Sequence, residues 1–151
     1  MRLISSVGKK VNCFETILSK YIGTKYAVPV INGTAALHIA LLLTRVRQED
    51  EVLIPTLSLL DLANSYNLPR VNDTSESLGN TYKGDHTTTF WSLGIMSFNG
   101  NKVITTGGGG AILTNDDELA QQAKHLTTIV KLAHRWKFFI IKWLGIIANL
   151  I

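Results

Sequence analysis

The sequence predicts a single α/β domain, because segments with helical periodicity alternate with short apolar runs of strand length. Apolar residues recur at helical spacing from Val11 to Tyr21, and Gly23 follows them, which predicts an amphipathic helix with a glycine at its end. A five-residue strand, 26–30, and an apolar helix that begins near Asn32 come next. The chain has 151 residues, enough for one domain with a hydrophobic core.

The remaining predicted elements are short. Strands are predicted at 52–55, 70–73, 94–97, 103–105 and 111–114, and helices at 57–66 and 119–129. The acidic residues at 116–118 favour a helix start, because negative charge is stabilised in the first turn of a helix. Pro29 lies within the strand 26–30, so we expect that strand to pair near an edge or a strand end.

Composition and charge exclude several classes of protein. Hydrophobic residues make up 46% of the chain and charged residues 17%, which is typical of a globular protein and not of a disordered one. Cys13 is the only cysteine and the N-terminal residues show no signal peptide, so we expect a reducing, cytoplasmic location. The basic residues that follow Glu118 are diluted by aromatic and aliphatic residues, so we expect no nucleic-acid partner despite the net charge of +4.

The composition changes abruptly after Trp136. Residues 137–151 are almost entirely apolar, with a few basic residues, and they are too few to span a bilayer, where about 20 are needed. We expect this tail to be non-native or frameshifted sequence. An interfacial membrane helix is the alternative interpretation.

Several common motifs are absent from the sequence. A dinucleotide-binding fingerprint in the glycine run at 107–110 would need glycine in place of Ile112, and a Walker A loop near it would need serine or threonine in place of Val103. The four histidines have no metal-ligand spacing, so no metal site is predicted. The Gly-x-Ser-x-Gly motif of a serine hydrolase is missing.

Three features remain that carry chemistry. Gly33 and Thr34 open a helix after a strand, where free N–H groups can hold a phosphate; the alternative is an ordinary helix start capped by Asn32 or Thr34, which is common. Asp73 ends a predicted strand, and Lys102 follows an apolar strand, where burial can keep an amine neutral and nucleophilic. A solvent-facing lysine is the alternative. Together these groups are what an enzyme that uses pyridoxal 5'-phosphate must supply.

The amino-acid sequence of many segments closely resembles that of the DegT/StrS-type nucleotide-sugar aminotransferases. The segments that carry the resemblance are Phe14-Glu15, Tyr21–Val28, Asn32–His38, Asp50–Val52, Asp73, Glu76–Gly79, Tyr82–Gly84, Ser97–Asp116, His125–Thr128 and His134–Trp136. The last two are similar to the branch that makes sugars of the bacillosamine and legionaminic acid type. The stretch from Ser97 to Gly110 is the most specific of these motifs.

This resemblance implies a partial type I PLP-transferase (aspartate aminotransferase-like) large domain with a mixed central sheet. It implies Lys102 as the catalytic lysine, which forms the Schiff base, Asp73 as the partner of the pyridinium nitrogen and Glu76 beside the ring. The implied cofactor-binding residues are Gly33, Thr34, Asp73, Glu76, Ser97 and Lys102. The implied reaction transfers an amine, usually from glutamate, to the 4-keto carbon of a nucleotide-linked deoxysugar, and the family forms homodimers.

The sequence also departs from the family pattern. Leu59 stands where an aromatic residue usually stacks on the cofactor, and the stretch 65–69 joins two segments that the family keeps far apart. We therefore expect an incomplete large domain at 1–136, with an internal deletion near 65–69 and the small domain missing. An inactive fragment and a small membrane-surface protein are the alternative functions.

Overall fold

The structure is a computed structural model that describes residues 9–50, 65–66 and 68–129. Its helices within these ranges are α1 (Lys9–Ile22), α2 (Gly33–Leu43), α3 (Asp117–Ile129) and a 3-10 helix (Thr87–Phe90). Its strands are β1 (Tyr26–Val30), β2 (Val71–Asp73), β3 (Thr81–Tyr82), β4 (Asp85–His86), β5 (Leu93–Ser97) and β6 (Gly110–Thr114).

The central sheet is mixed and has the strand order β1-β6-β5-β2. β6 pairs antiparallel with both β1 and β5, and β2 pairs parallel with β5. As a consequence β1, β5 and β2 run in the same direction, and their carboxyl ends lie at the same edge of the sheet. Val30, Asp73 and Ser97 end these three strands, so the segments that follow them meet at that edge.

Helices cover both faces of the sheet, which explains why β5 and β6 are apolar at successive positions rather than alternating ones. Residues of α2 and α3 pack on one face and residues of α1 on the other. The first core cluster is Val28, Ala36, Ala40, Leu93, Ile95, Ile112 and Ala123. The second is Ile22, Ala27, Met96, Phe98, Ala111 and Leu113. Neighbouring residues of one strand therefore contribute to opposite cores.

Most of the predicted elements that fall within the described residues are present. Gly23 ends α1 with a positive φ of 82°, and Asn32 rather than Thr34 caps α2. The Asp116 carboxylate accepts a hydrogen bond from the Leu119 N–H (2.9 Å) and so caps α3. Pro29 lies in β1, at the edge of the described sheet, where its missing N–H removes no interior ladder bond.

The predicted strand at 103–105 is wrong. These residues belong to the loop between β5 and β6, which folds back on Phe98: its carbonyl accepts hydrogen bonds from the Thr106 N–H (3.1 Å) and the Thr105 hydroxyl (3.1 Å). Val103 and Ile104 are 62% and 48% exposed, so the β-branched run does not enter the sheet. The β-propensity of this run is overridden by the loop contacts.

Other predictions differ from the structure or lie outside its described residues. The β3–β4 hairpin was not predicted; its turn is formed by Lys83 and Gly84, both with positive φ. The predicted strand 52–55, nearly all of the helix 57–66 and the tail 137–151 lie outside the described residues.

Gly94 provides a test of how tightly β5 packs. A Cβ at this position would lie 2.1 Å from Cγ2 of Thr88, whose side chain is buried. We predict that Gly94→Ala lowers the free energy of unfolding by about 1–3 kcal/mol, because overpacking forces neighbouring groups apart. Urea denaturation followed by circular dichroism measures this change.

The matched control is Gly100→Ala, because a Cβ at Gly100 would meet no atom within 4 Å. Adding Thr88→Ser to Gly94→Ala removes the clashing methyl group. The free energy of unfolding of this double variant should therefore be close to that of Thr88→Ser alone. Equal stability of Gly94→Ala and Gly100→Ala would contradict the predicted clash.

Candidate functional site

The residues singled out from the sequence gather at the edge of the sheet where β1, β5 and β2 end. α2 begins after β1, Asp73 is the last residue of β2, and Ser97 is the last residue of β5. The loop between β5 and β6, residues 98–109, carries Lys102 and lies at the same edge. The carboxyl ends of strands are where ligands bind in open α/β sheets.

The start of α2 leaves backbone donors available for an anion. Asn32 has extended backbone, its side chain accepts from the Ala35 N–H (2.8 Å), and its carbonyl accepts from the Ala36 N–H (3.1 Å). The N–H groups of Gly33 and Thr34, in the first turn, have no acceptor within the helix. The Asn32 cap and the predicted anion site are therefore compatible at this helix start, where the helix dipole favours negative charge.

Glycine is required at two positions for α2 to reach this place. A Cβ on Gly33 would lie 2.6 Å from Cβ of Ser97 and 3.1 Å from its hydroxyl oxygen. A Cβ on Gly110 would lie 2.7 Å from the carbonyl carbon of Asn32 and 2.8 Å from the Gly33 nitrogen. The helix start thus lies directly against the end of β5 and the beginning of β6, and the Ser97 hydroxyl is beside it.

Sequence reasoning missed the role of Gly110. The run of glycines at 107–110 was the available signal, but the sequence indicated only its place in the family motif and its mismatch to a dinucleotide-binding fingerprint. In the structure the absence of a side chain at Gly110 allows the backbone of α2 to approach β6, beside the predicted phosphate cradle.

The Asp73 carboxylate is held in place by its own turn. Its Oδ1 accepts hydrogen bonds from the Ser75 N–H (3.0 Å) and the Ser75 hydroxyl (2.5 Å). The next residue, Thr74, is buried, and both its N–H and its hydroxyl donate to the Ile95 carbonyl at 2.8 Å. These bonds fasten the end of β2 to β5 and leave Asp73 exposed. Ser75 is a second positioning residue that sequence reasoning missed.

Lys102 and Glu76 form an ion pair across the site. The distance from Lys102 Nζ to Glu76 Oε1 is 2.6 Å, and the two side chains are 23% and 67% exposed. The hydrogen bond that Lys102 Nζ donates to Glu76 is the main cause that raises the pKa of Lys102 above 10.5; burial opposes this rise, and the charges of Glu76 and Asp73 add to it. The expectation that burial keeps this lysine neutral is therefore wrong for this arrangement, because two carboxylates stabilise its charge.

The predicted site residues form two contact groups. In the first, Gly33 touches Ser97. In the second, Lys102 pairs with Glu76, and the negative charge of Asp73 also acts on Lys102. Thr34 is exposed on the first turn of α2, and among the described residues its side chain makes no hydrogen bond.

The residues present are chemically suited to pyridoxal 5'-phosphate. The helix start and the Ser97 hydroxyl offer donors for a phosphate, Asp73 offers a carboxylate for a ring nitrogen, and Lys102 offers an amine. Among the described residues, no three His, Cys, Asp or Glu side chains come close enough to hold a metal ion. Within the same ranges no helix has the length and hydrophobicity needed to cross a membrane.

A family model described as the DegT/DnrJ/EryC1/StrS aminotransferase family matches residues 2–60 and 57–150. GDP-perosamine synthase from Caulobacter vibrioides is 29% identical over 180 positions, which cover 82% of this chain and 48% of that protein. A GDP-perosamine synthase from Escherichia coli O157:H7 is also 29% identical, over 87% of this chain and 52% of that protein. The chain therefore spans about half the length of these relatives.

Solved structures agree with the fold class. The structure of DesV from S. venezuelae superposes with a TM-score of 0.74 and 22% identity, over 85% of this chain and 50% of that one. The Bacillus subtilis protein NtdA, solved with the cofactor PMP, gives a TM-score of 0.66 and 22% identity over 77% of this chain and 39% of that one. The prediction of an α/β, partial PLP-transferase large domain with a mixed sheet is confirmed.

The charge state of Lys102 can be tested without any cofactor. Because Glu76 raises the pKa of Lys102, we predict that Glu76→Gln lowers it, as followed by NMR titration of the lysine Nζ groups. The pair stabilises the fold below the ordinary lysine pKa of about 10.4, and this stabilisation is lost as the pH rises through the raised pKa.

The matched control is Asp117→Asn, because Asp117 raises the pKa of Lys25 in an analogous exposed pair. This variant should lower the pKa of Lys25 and leave that of Lys102 unchanged. An unchanged Lys102 pKa in Glu76→Gln would show that the ion pair does not form in solution.

Proposed function

Because this chain belongs to the DegT/DnrJ/EryC1/StrS aminotransferase family, we propose that its site is that of a pyridoxal phosphate-dependent aminotransferase acting on a 4-keto nucleotide-deoxysugar. The observation that carries this proposal is the arrangement of Lys102. Its amine lies on a loop at the sheet edge where α2 begins, paired with Glu76 and within the field of Asp73. A lysine so placed can form and release covalent bonds to a carbonyl and move protons.

Each site residue has a proposed role that follows from its position. The N–H groups of Gly33 and Thr34 and the Ser97 hydroxyl would bind the phosphate, and Asp73 would hold a proton at the ring nitrogen. When bound, the cofactor withdraws electrons from the carbon that bears the amine. Lys102 would be the catalytic amine, and Glu76 holds its Nζ charged until the amine must react.

Substrates, partners and location belong to this proposal. The two GDP-perosamine synthases support a nucleotide-linked sugar as the amine acceptor. We propose glutamate as the amine donor, glycan or polysaccharide building blocks as the products, a homodimer as the assembly and the cytoplasm as the location.

An inactive fragment of such an enzyme is the second candidate, and the alignment length favours it. The alignment with the Caulobacter synthase runs over 180 positions, more than the 151 residues of this chain. Since 82% of 151 residues is about 124, about 56 of those positions are occupied by the relative alone. This supports the proposed internal deletion. The two stretches matched by the family model meet at residues 57–60, a few residues before the stretch 65–69 near which the sequence predicts the deletion.

Cofactor attachment tests the proposed role of Lys102. We predict that the protein incubated with pyridoxal 5'-phosphate and then reduced with borohydride carries the cofactor's mass on the peptide that contains Lys102. Lys102→Arg should lose this label and the visible absorbance of the bound cofactor. Lys25→Arg should keep both, because Lys25 directly precedes β1 and so lies at the edge of the sheet opposite the site.

Addition of glutamate and a 4-keto-6-deoxy nucleotide sugar separates the two candidate functions. Formation of the amino sugar that depends on Lys102 supports the aminotransferase, and cofactor attachment without product supports the inactive fragment. Labelling spread over several lysines, unchanged in Lys102→Arg, would contradict both.

Gly33 tests the proposed phosphate cradle. Because a Cβ at Gly33 would clash with Ser97, Gly33→Ala should move the helix start and weaken binding of pyridoxal 5'-phosphate. Loss of one charge-assisted hydrogen bond, about 1.5–3 kcal/mol, corresponds to about tenfold or more in Kd. Fluorescence titration measures the affinity.

Pyridoxal, which has no phosphate, is the control ligand, and its weaker affinity should be nearly the same for the unchanged chain and for Gly33→Ala. Gly100→Ala is the control variant. An equal loss for both ligands would mean that the substitution disturbs the site as a whole and that no phosphate cradle lies at Gly33.

A further inference from the structure

Among the described residues, β2 pairs with a strand on one side only. The Leu93 N–H donates to the Arg70 carbonyl (3.0 Å), and the Thr74 N–H donates to the Ile95 carbonyl (2.8 Å). Because bonding groups alternate along a parallel strand, the N–H and carbonyl groups of Val71 and Asp73 point away from β5. β2 pairs with β5 alone in the described sheet, so no strand of the described residues lies opposite these four groups.

The two edges of the described sheet differ in a way that matters for binding. β1 contains Pro29, which lacks an N–H and so discourages another strand from adding at that edge. β2 contains no proline and presents its donors and acceptors at regular spacing. An unprotected edge of this kind is a template for strand addition.

The helix next to this edge is apolar on more than one face. α2 packs on the sheet through Ala36 and Ala40, which are fully buried. Yet Thr34 and His38 are its only polar side chains, and Leu37 and Leu42 are 37% and 42% exposed. A helix that is hydrophobic all round is typical of an element buried between two layers.

Apolar side chains are also exposed just after the end of α2 and just before the start of β2. Val46, three residues after the end of α2, is 40% exposed, and Leu68, three residues before β2, is 42% exposed. These residues lie on the two sides of residues 57–60, where the two stretches matched by the family model meet. The exposed apolar surface therefore borders the place to which we assign the missing family segment.

We propose that the free edge of β2 and the outward face of α2 form a docking surface for a second polypeptide that carries this missing family segment. The segment would add a strand beside β2 and cover Leu37 and Leu42. A second copy of this chain fits less well, because it lacks the same segment and offers only the same three-residue edge. This inference goes beyond the proposed catalytic function and rests on family membership and surface geometry alone.

The test uses the full chain and the segment of the Caulobacter vibrioides synthase that lies opposite the gap, produced as a separate polypeptide. We expect a one-to-one complex in analytical ultracentrifugation. Hydrogen exchange should slow by about tenfold or more at the amides of Val71 and Asp73, because they become strand donors, and stay unchanged in β1.

Two variants with already exposed side chains avoid a loss of folding. Leu42→Lys should weaken the complex by about tenfold or more, because it would bury an unpaired charge. Ile17→Lys, at a position of α1 that is 64% exposed, is the matched control and should leave the affinity unchanged.

Three results would overturn the proposal. The first is the absence of a complex. The second is self-association of the chain that protects the same amides without the segment, which would make a second copy the occupant. The third is a complex that leaves the amides of β2 unprotected and responds equally to both lysine variants. No readout involves the cofactor, so a failure here is distinguishable from a failure of the proposed function.

Discussion

The close approach of α2 to the ends of β5 and β6 is the constraint on which the rest of the structure depends. It requires the absence of side chains at Gly33 and Gly110, since either Cβ would lie within 3 Å of a neighbouring atom. With the helix start fixed there, Ala36 and Ala40 reach the sheet and close one of the two cores. The same contact sets the first-turn N–H groups beside Ser97, so packing and the proposed anion binding share one cause.

The charges of the site form a second, weaker constraint. Asp73 ends β2 and Glu76 belongs to the turn that follows it, and both act on an amine carried by the loop between β5 and β6. The Lys102–Glu76 ion pair links that turn to the loop, and it is exposed enough that it stabilises the fold little. In the proposed mechanism its main effect is on reactivity, because a protonated amine is not a nucleophile until a ligand or a proton acceptor displaces the carboxylate.

Sequence patterns predicted the elements whose residues are decided locally. The helix period of α1, the Asn32 cap and the apolar runs of β5 and β6 each follow from neighbours in the chain. The strand predicted at 103–105 failed because its β-branched residues lie in a loop that the Thr105 hydroxyl and the Thr106 N–H hold against the Phe98 carbonyl. The Lys102–Glu76 pair could not be predicted from local patterns either, because the two residues lie 26 positions apart. They come together only because the strands that precede them, β2 and β5, pair in the sheet.

The contact between Gly33 and Ser97 joins the part of the chain before the proposed internal deletion to the part after it. The geometry of the proposed phosphate cradle therefore depends on residues that are in contact. Since the entropy of closing a loop grows only slowly with its length, a change in the length of the chain between them would cost little stability as long as this contact is kept. A deletion between α2 and β2 is thus compatible with an unchanged helix start beside Ser97.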